Sequence, residues 1–284
     1  MLLSEAVERF DLSRVGRSGS TRQWYRRMAG ALVDFLGDPE LEKVMVDDLR
    51  RFHAALETRA LSPFTILAHL RAVKILFRWC ADEGLIESDP SRRLKLPRAP
   101  DQEPKAISRE DVERMVEAAL TARDRAIVEF LADTGCRVGG LVGLRLSDLD
   151  LERGRAVVRE KGQRCRTVYL SEGTVATLRV WLGQRGLCDG FVFIGQRGRL
   201  TTNGVYQALK RLARRAGVRR FNPHAFRHGW ARGALERGAD LGTVAQVLGH
   251  SSVTVTHQFY ARWSDRELAE RHHRFSWMNS AGDE

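Results

Sequence analysis

The sequence predicts a mainly α chain in two parts: an all-helical front segment, then a mostly helical second segment with one small antiparallel sheet. Three observations lead there. Apolar residues recur at helical spacing through both segments. Two short runs rich in β-branched residues, Ala156-Val157-Val158 and Thr167-Val168-Tyr169-Leu170, stand close enough to form a hairpin. Between the segments lies Pro97-Arg98-Ala99-Pro100-Asp101-Gln102-Glu103-Pro104-Lys105, whose prolines and alternating charges mark a linker. The 284 residues suit two domains, and 43% hydrophobic residues can fill ordinary cores. The chain therefore divides into residues 1–98, a linker at 99–105, and residues 106–284.

In the front segment, Trp24, Met28, Ala31, Leu32 and Phe35 share a helical face, and Gly37 can end that helix. Asp48 to Thr58 fits a second helix, with Leu49, Phe52 and Leu56 on one side. Ser62-Pro63 reads as an N-cap and first helical residue. The helix it opens carries Leu67, Leu70, Ile75 and Phe77 and stops near Gly84. Asp89-Pro90 makes a turn, which completes a small bundle by about Leu96. In the second segment Ser108 reads as an N-cap with Asp111 in its first turn. Helices are expected at 109–120, 123–133, 174–184, 202–216, 224–237, 241–248 and 264–273, with Gly238 and Gly249 as C-terminal stops. Phe191-Val192-Phe193-Ile194 reads as a further strand.

The net charge of +11 asks for an acidic partner, and nucleic acid is the commonest. Residues 1–98 hold 17 Lys+Arg against 14 Asp+Glu, and residues 99–284 hold 30 against 22. Both parts are basic, so both could touch one nucleic acid while the linker lets them close around it. No uninterrupted apolar run is long enough to span a bilayer, and the start lacks a signal peptide's basic and then apolar pattern. The expectation is a cytoplasmic protein with no membrane partner. Cys80, Cys136, Cys165 and Cys188 stand far apart and read as reduced packing residues. His224 and His228 stand four apart, a metal-binding spacing on a helix, but the Glu of His-Glu-x-x-His and an obvious third ligand are absent. No metal site is expected.

Six positions carry the functional reading. Arg137 ends Thr134-Gly135-Cys136-Arg137, and Lys161 sits in Glu160-Lys161-Gly162 between the two strand-like runs. His224 and Arg227 form a His-x-x-Arg pair in Pro223-His224-Ala225-Phe226-Arg227-His228. His250 follows Leu248-Gly249, and Tyr260 ends Gln258-Phe259-Tyr260. Each alone has a bland alternative: arginines cap helix ends, Lys161-Gly162 is an ordinary turn, and Tyr169 or Tyr206 is equally eligible by type. In series, their order and context resemble the tyrosine recombinase (phage integrase) family, over about residues 106 to 275.

That resemblance implies a helical, SAM-like core-binding domain at 1–98. It implies a mostly α catalytic domain with a small antiparallel sheet at 106–284. The two would form a C-shaped clamp on duplex DNA. The implied activity is site-specific cleavage and rejoining through a covalent 3′-phosphotyrosyl intermediate, without metal or nucleotide cofactor. Four protomers, as a homotetramer or heterotetramer, would join two inverted-repeat sites in synapsis. The chain begins almost directly with the first domain, so its layout is similar to the Xer proteins and simpler integrases. Apart from the resemblance, the large apolar Leu268, Phe275 and Trp277 would either fold back on their own domain or dock on a neighbouring protomer, and docking is the reading favoured.

The chemistry explains the residue types. A protein nucleophile exchanges one phosphodiester for another, so the bond energy is kept for religation. Tyrosine, with a free pKa of about 10, must lose a proton during attack, and the departing 5′-hydroxyl must gain one. The transition state gathers negative charge on its non-bridging oxygens, which fixed cations can stabilise. Arginine forks match two phosphate oxygens. By the resemblance, Arg137 and Arg227 form that clamp and Lys161 is the general acid. His224 handles the tyrosine proton, His250 donates to the phosphate, and Tyr260 attacks.

The sequence also departs from the family pattern. An acidic residue usually stands three positions after the first arginine, where this chain has Gly140. Glu160 and Asp133 are the nearby acids that could replace it. Tyr169 stands where proline is frequent, and Tyr260 lies ten residues after His250 rather than the commoner nine. Gly140 keeps a second reading open, a DNA-binding protein on the same scaffold that has lost cleavage. A type IB topoisomerase is a third.

Overall fold

The computed structural model describes residues 1–98, 105–160, 165–186, 190–196 and 198–249, together with 254, 257, 268, 269, 272 and 273. It divides into two compact units, Met1–Gln102 and Glu103–Glu284.

The first unit contains α1 (Leu3–Ser13), α2 (Gly19–Leu36), α3 (Val46–Thr58) and α4 (Pro63–Asp82), with 3-10 turns at Leu41–Lys43 and Pro90–Arg93. Helix α4 packs against the other three. Its Leu70, Leu76 and Phe77 meet Phe10, Leu32, Leu49, Phe52 and Leu56 in one core. Ser62 caps α4 by accepting from Thr65 N, and Pro63 occupies its first turn. The helix α1 was not assigned from sequence. It has no Ser, Thr, Asp or Asn cap; instead Glu5 reaches back to accept from Leu2 N at 2.8 Å. Asp11, nearly buried, pairs with Arg22 and Arg26 and so ties α1 to α2.

The second unit runs α5 (Arg109–Glu117), α6 (Ala122–Thr134), α7 (Val138–Gly143), β1 (Leu149–Asp150), β2 (Arg155–Arg159), β3 (Cys165–Tyr169), α8 (Glu172–Arg185), β4 (Ile194–Gly195), β5 (Gly198–Arg199), α9 (Thr202–Ala216), α10 (Pro223–Glu236) and α11 (Leu241–Leu248). The order in the larger sheet is β1-β2-β3, antiparallel throughout, with Arg155 opposite Tyr169 and Arg159 opposite Cys165. Helix α6 is central. It packs on α5, α8, α9 and α10, and its Ala126, Ile127, Val128, Phe130 and Leu131 are fully buried. A smaller apolar cluster, Ala231, Leu235, Val244 and Leu248, joins α10 to α11.

The mainly α class and the hairpin are as expected, and α9 and α11 have the expected bounds. The helix α7, like α1, is not assigned from sequence, and two of the expected elements differ. The expected helix 109–120 ends at Glu117, and Thr121 caps α6 by accepting from Asp124 N. The run Phe191 to Ile194 is not a four-residue strand. Only Ile194 is in β4, while Phe191 makes an isolated bridge to Arg145. Val192 and Phe193 are fully buried, and their apolarity serves the core rather than a ladder. Most of the expected helix 264–273 lies outside the described residues.

Candidate active site

Arg137 owes its place to a tight junction between α6 and α7. Gly135 ends α6 at φ 55°, in the left-handed region that glycine enters without steric cost. A Cβ there would lie 2.8 Å from Leu248 Cδ2 and 3.3 Å from Trp230 Cβ, so the junction presses on α10 and α11. Buried Cys136 follows, its amide donating to Thr134 Oγ1 at 3.2 Å. Arg137 is the N-cap of α7 in extended backbone, with its side chain 38% exposed.

His224 and Arg227 stand one turn apart on α10, and so on one face. Asn222 caps that helix by accepting from Ala225 N at 2.9 Å, with Pro223 at its first position. Arg227 is buried. Its Nη1 donates to Gly135 O at 2.9 Å and its Nη2 to Leu248 O at 2.7 Å. One guanidinium thus joins the ends of α6 and α11. The His224 ring keeps an exposed edge. Desolvation, followed by the charges of Arg227 and Arg137, lowers its pKa below the ordinary histidine value. His228 lies one turn further, its ring 6.5 Å from that of His224.

Glu160 follows β2 directly, and its side chain is only 5% exposed. It accepts from Arg137 N at 3.2 Å and pairs with the Arg137 guanidinium. Arg166 on β3 donates Nη2 to the same carboxylate at 3.3 Å and Nη1 to Val247 O. Burial alone would raise the Glu160 pKa. Arg166, the Arg137 amide and the Arg137 and Arg227 charges outweigh burial and hold it below the usual glutamate value. Of the two acids named as replacements at position 140, Glu160 is the one against Arg137. Asp133 accepts from Ser171 N at 2.6 Å.

The structure therefore gathers Arg137, His224 and Arg227 at one place. Lys161, His250 and Tyr260 lie outside the described residues; Lys161 directly follows Glu160, and His250 directly follows Gly249. Arg166 was missed as a member of this cluster. Strand alternation could have found it. It lies opposite fully buried Val158 and two residues before buried Val168, on the inward face of the hairpin.

The phage integrase family's sequence model matches residues 105–267. The chain belongs to that family of tyrosine site-specific recombinases. It is 33% identical over 263 residues to tyrosine recombinase XerC of Xanthomonas campestris pv. campestris, covering 89% of this chain and 81% of that one. It is 35% identical over 283 residues to tyrosine recombinase XerD of Mycobacterium tuberculosis, covering 90% and 91%. A solved structure of the Tn1549 transposon integrase in complex with a circular intermediate DNA superposes with a TM-score of 0.82. That match covers 97% of this chain and 100% of the other at 19% identity, and it shows the shared fold.

In this recombinase the His224–Arg227 turn has a pH consequence. Burial, then the charges of His224 and Arg227, pushes the His228 pKa down to about 4 from 6.5. The unfolded chain takes up a proton near 6.5 that the folded ring refuses until about 4. Between those values the unfolded state binds more protons, so stability is lost as pH falls. Denaturation midpoints from pH 7.5 to 5 should decline, and a folded His228→Gln variant should decline less. Equal slopes would place the loss on other groups.

Proposed function

We propose that this recombinase cleaves duplex DNA by attack of the Tyr260 hydroxyl oxygen on the scissile phosphorus. The P–O5′ bond breaks as the tyrosyl ester forms on the 3′ side. Neutral His224 accepts the tyrosine proton, and Lys161 gives one to the departing 5′-oxygen. Arg137, Arg227 and His250 hold the non-bridging oxygens. The 5′-hydroxyl of another strand reverses these steps and completes the exchange. The observation that carries this reading is that Glu160 holds Arg137 while Gly135 O and Leu248 O hold Arg227, at a site where the charges of both arginines lower the His224 pKa. Fixed cations at a developing phosphorane need no divalent ion. Cleavage of a nicked suicide substrate should therefore be unchanged by EDTA. Loss of cleavage that added magnesium restores would refute the metal-free mechanism.

Residues 1–98 act as the core-binding domain and residues 106–284 as the catalytic domain, together clamping an inverted-repeat site in the cytoplasm. Catalysis proceeds in a tetramer on two sites, built from one chain or from two related ones. The kinship with XerC and XerD supports this reading, as does the basic charge of both parts. The apolar residues after Tyr260, among them exposed Leu268, would dock on a neighbour. Truncation after Asp265 should then leave single-site DNA binding while removing synapsis and recombination. Normal recombination by the folded, truncated protein would rule that docking out. Unfolding would mean that the tail packs on its own domain.

The reading as a DNA-binding protein without cleavage draws on Gly140. It predicts sequence-specific binding with no protein–DNA adduct. A type IB topoisomerase would instead relax supercoiled plasmid that carries no recombination site.

A further inference from the structure

Three donors from two segments converge on the Glu160 carboxylate: the Arg137 amide, the Arg137 guanidinium and the Arg166 guanidinium. Across from it lies Gly140, one turn into α7, whose amide donates to Arg137 O at 2.8 Å. A Cβ on Gly140 would stand 3.3 Å from Val158 Cβ and 3.7 Å from Glu160 Cγ. A glutamate at position 140 and the glutamate at 160 therefore compete for one volume. The chain fills that volume from the sheet and leaves the helix bare.

The carboxylate reaches further than Arg137. Through Arg166 it holds Val247 O, at the C-terminal end of α11. Gly249, the αL cap of that helix, lies against the same pair. A Cβ there would meet Arg166 Cδ at 2.9 Å and Glu160 Oε2 at 4.0 Å. The next residue is His250. Glu160 itself is followed by Lys161. One buried anion thus links the Arg137 junction, the hairpin end before Lys161 and the helix end before His250.

We propose that Glu160 is a positioning residue for strand cleavage, supplying from the end of β2 the carboxylate that a residue at 140 would otherwise supply from α7. It touches no substrate. It aims the Arg137 fork and sets the α11 end in register with it. Gly140 is the complementary half of the arrangement, since it clears the space that the Glu160 side chain occupies. This inference rests on the proposed covalent mechanism.

The test uses the nicked suicide substrate at saturating DNA, with Glu160→Gln, Glu160→Gly, Gly140→Glu and the exchanged double variant Gly140→Glu/Glu160→Gly. Wild type and Tyr260→Phe run beside them. Glu160→Gln and Glu160→Gly should lower the single-turnover cleavage rate by about 10- to 100-fold, the usual cost of losing such a supporting carboxylate. DNA affinity should stay within about twofold, because the phosphate-facing cations remain. Gly140→Glu alone should also cleave slowly, since two carboxylates then crowd one volume. The double variant should recover most of the wild-type rate. A role in packing alone predicts a wild-type rate for Glu160→Gln, which keeps the volume of the side chain and removes only its charge.

A folded Glu160→Gln protein that cleaves at the wild-type rate would overturn the inference. So would a double variant no faster than Glu160→Gly. If both Glu160 single variants fail to fold, the double variant decides: regained folding and cleavage support the exchange, and their absence refutes it. The controls separate the two levels of argument. An adduct retained by Tyr260→Phe, or absent from wild type, would sink the covalent mechanism. Normal controls beside a fully active Glu160→Gln would sink only the positioning role.

Discussion

Tyr260→Phe is expected to abolish the covalent protein–DNA adduct while leaving DNA binding nearly intact. The substitution removes one oxygen. The ring, which can pack or stack, stays the same size, so affinity from backbone phosphates and base edges is retained. The lost atom is the proposed nucleophile, and no other side chain of the proposed site has equivalent chemistry. Arginine stays protonated and cannot attack, and a phosphohistidine would not survive as a stable tyrosyl ester does. Two other tyrosines of the second unit lie within the described residues. Tyr169 is 69% exposed on β3, and Tyr206 packs at a tilt against Phe221 with ring centres 5.6 Å apart. The expected result on a nicked substrate is no denaturant-resistant adduct and a near-normal gel shift. An adduct in the mutant would transfer the nucleophile to another residue.

How much of this was legible in the sequence depends on the range of the interaction that decides each feature. Local signals were read well. Ser62 and Ser108 announce their helices because a side-chain oxygen three residues upstream satisfies a free amide. Gly37 and Gly249 end theirs in the left-handed region. Where the local signal is missing or ambiguous, the reading slipped. Leu2 begins α1 without a capping oxygen of its own. Ala118 to Leu120 continue an apolar pattern past the true end of α5. Phe191 to Phe193 look like strand but are held by single bonds, Val192 N to Leu144 O and Leu200 N to Phe193 O. The site divides in the same way. Arg137, His224 and Arg227 could be picked out by type and local context. The carboxylate that braces Arg137 could be named only as one of two nearby acids. Glu160 meets Arg137 across 23 positions, and Arg166 meets Val247 across 81. Pairings at that range leave no periodic trace in a single sequence.

Loss of either proposed clamp arginine should lower activity alike and stability unlike. Removing either is expected to lower cleavage by at least about a hundredfold, the scale for losing one donor to a developing oxyanion. Arg227→Ala should also unfold at a temperature several degrees lower. Its guanidinium is buried and donates to Gly135 O and Leu248 O. Each buried carbonyl left without a donor costs about 1–3 kcal/mol. Arg137 is more exposed, and without it Glu160 keeps Arg166 as its counter-charge. Arg137→Ala should therefore fall in cleavage with a much smaller drop in melting temperature. Lysine at 227 retains the charge but cannot span two carbonyls with one planar fork, so it should rescue stability and cleavage only in part. Single-turnover cleavage and thermal melts on the same preparations decide between these outcomes. Wild-type cleavage in either alanine variant would remove that residue from the clamp. Equal thermal losses in both would mean that Arg137, like Arg227, is held chiefly as a brace between segments, and that Glu160 serves the fold before it serves the phosphate.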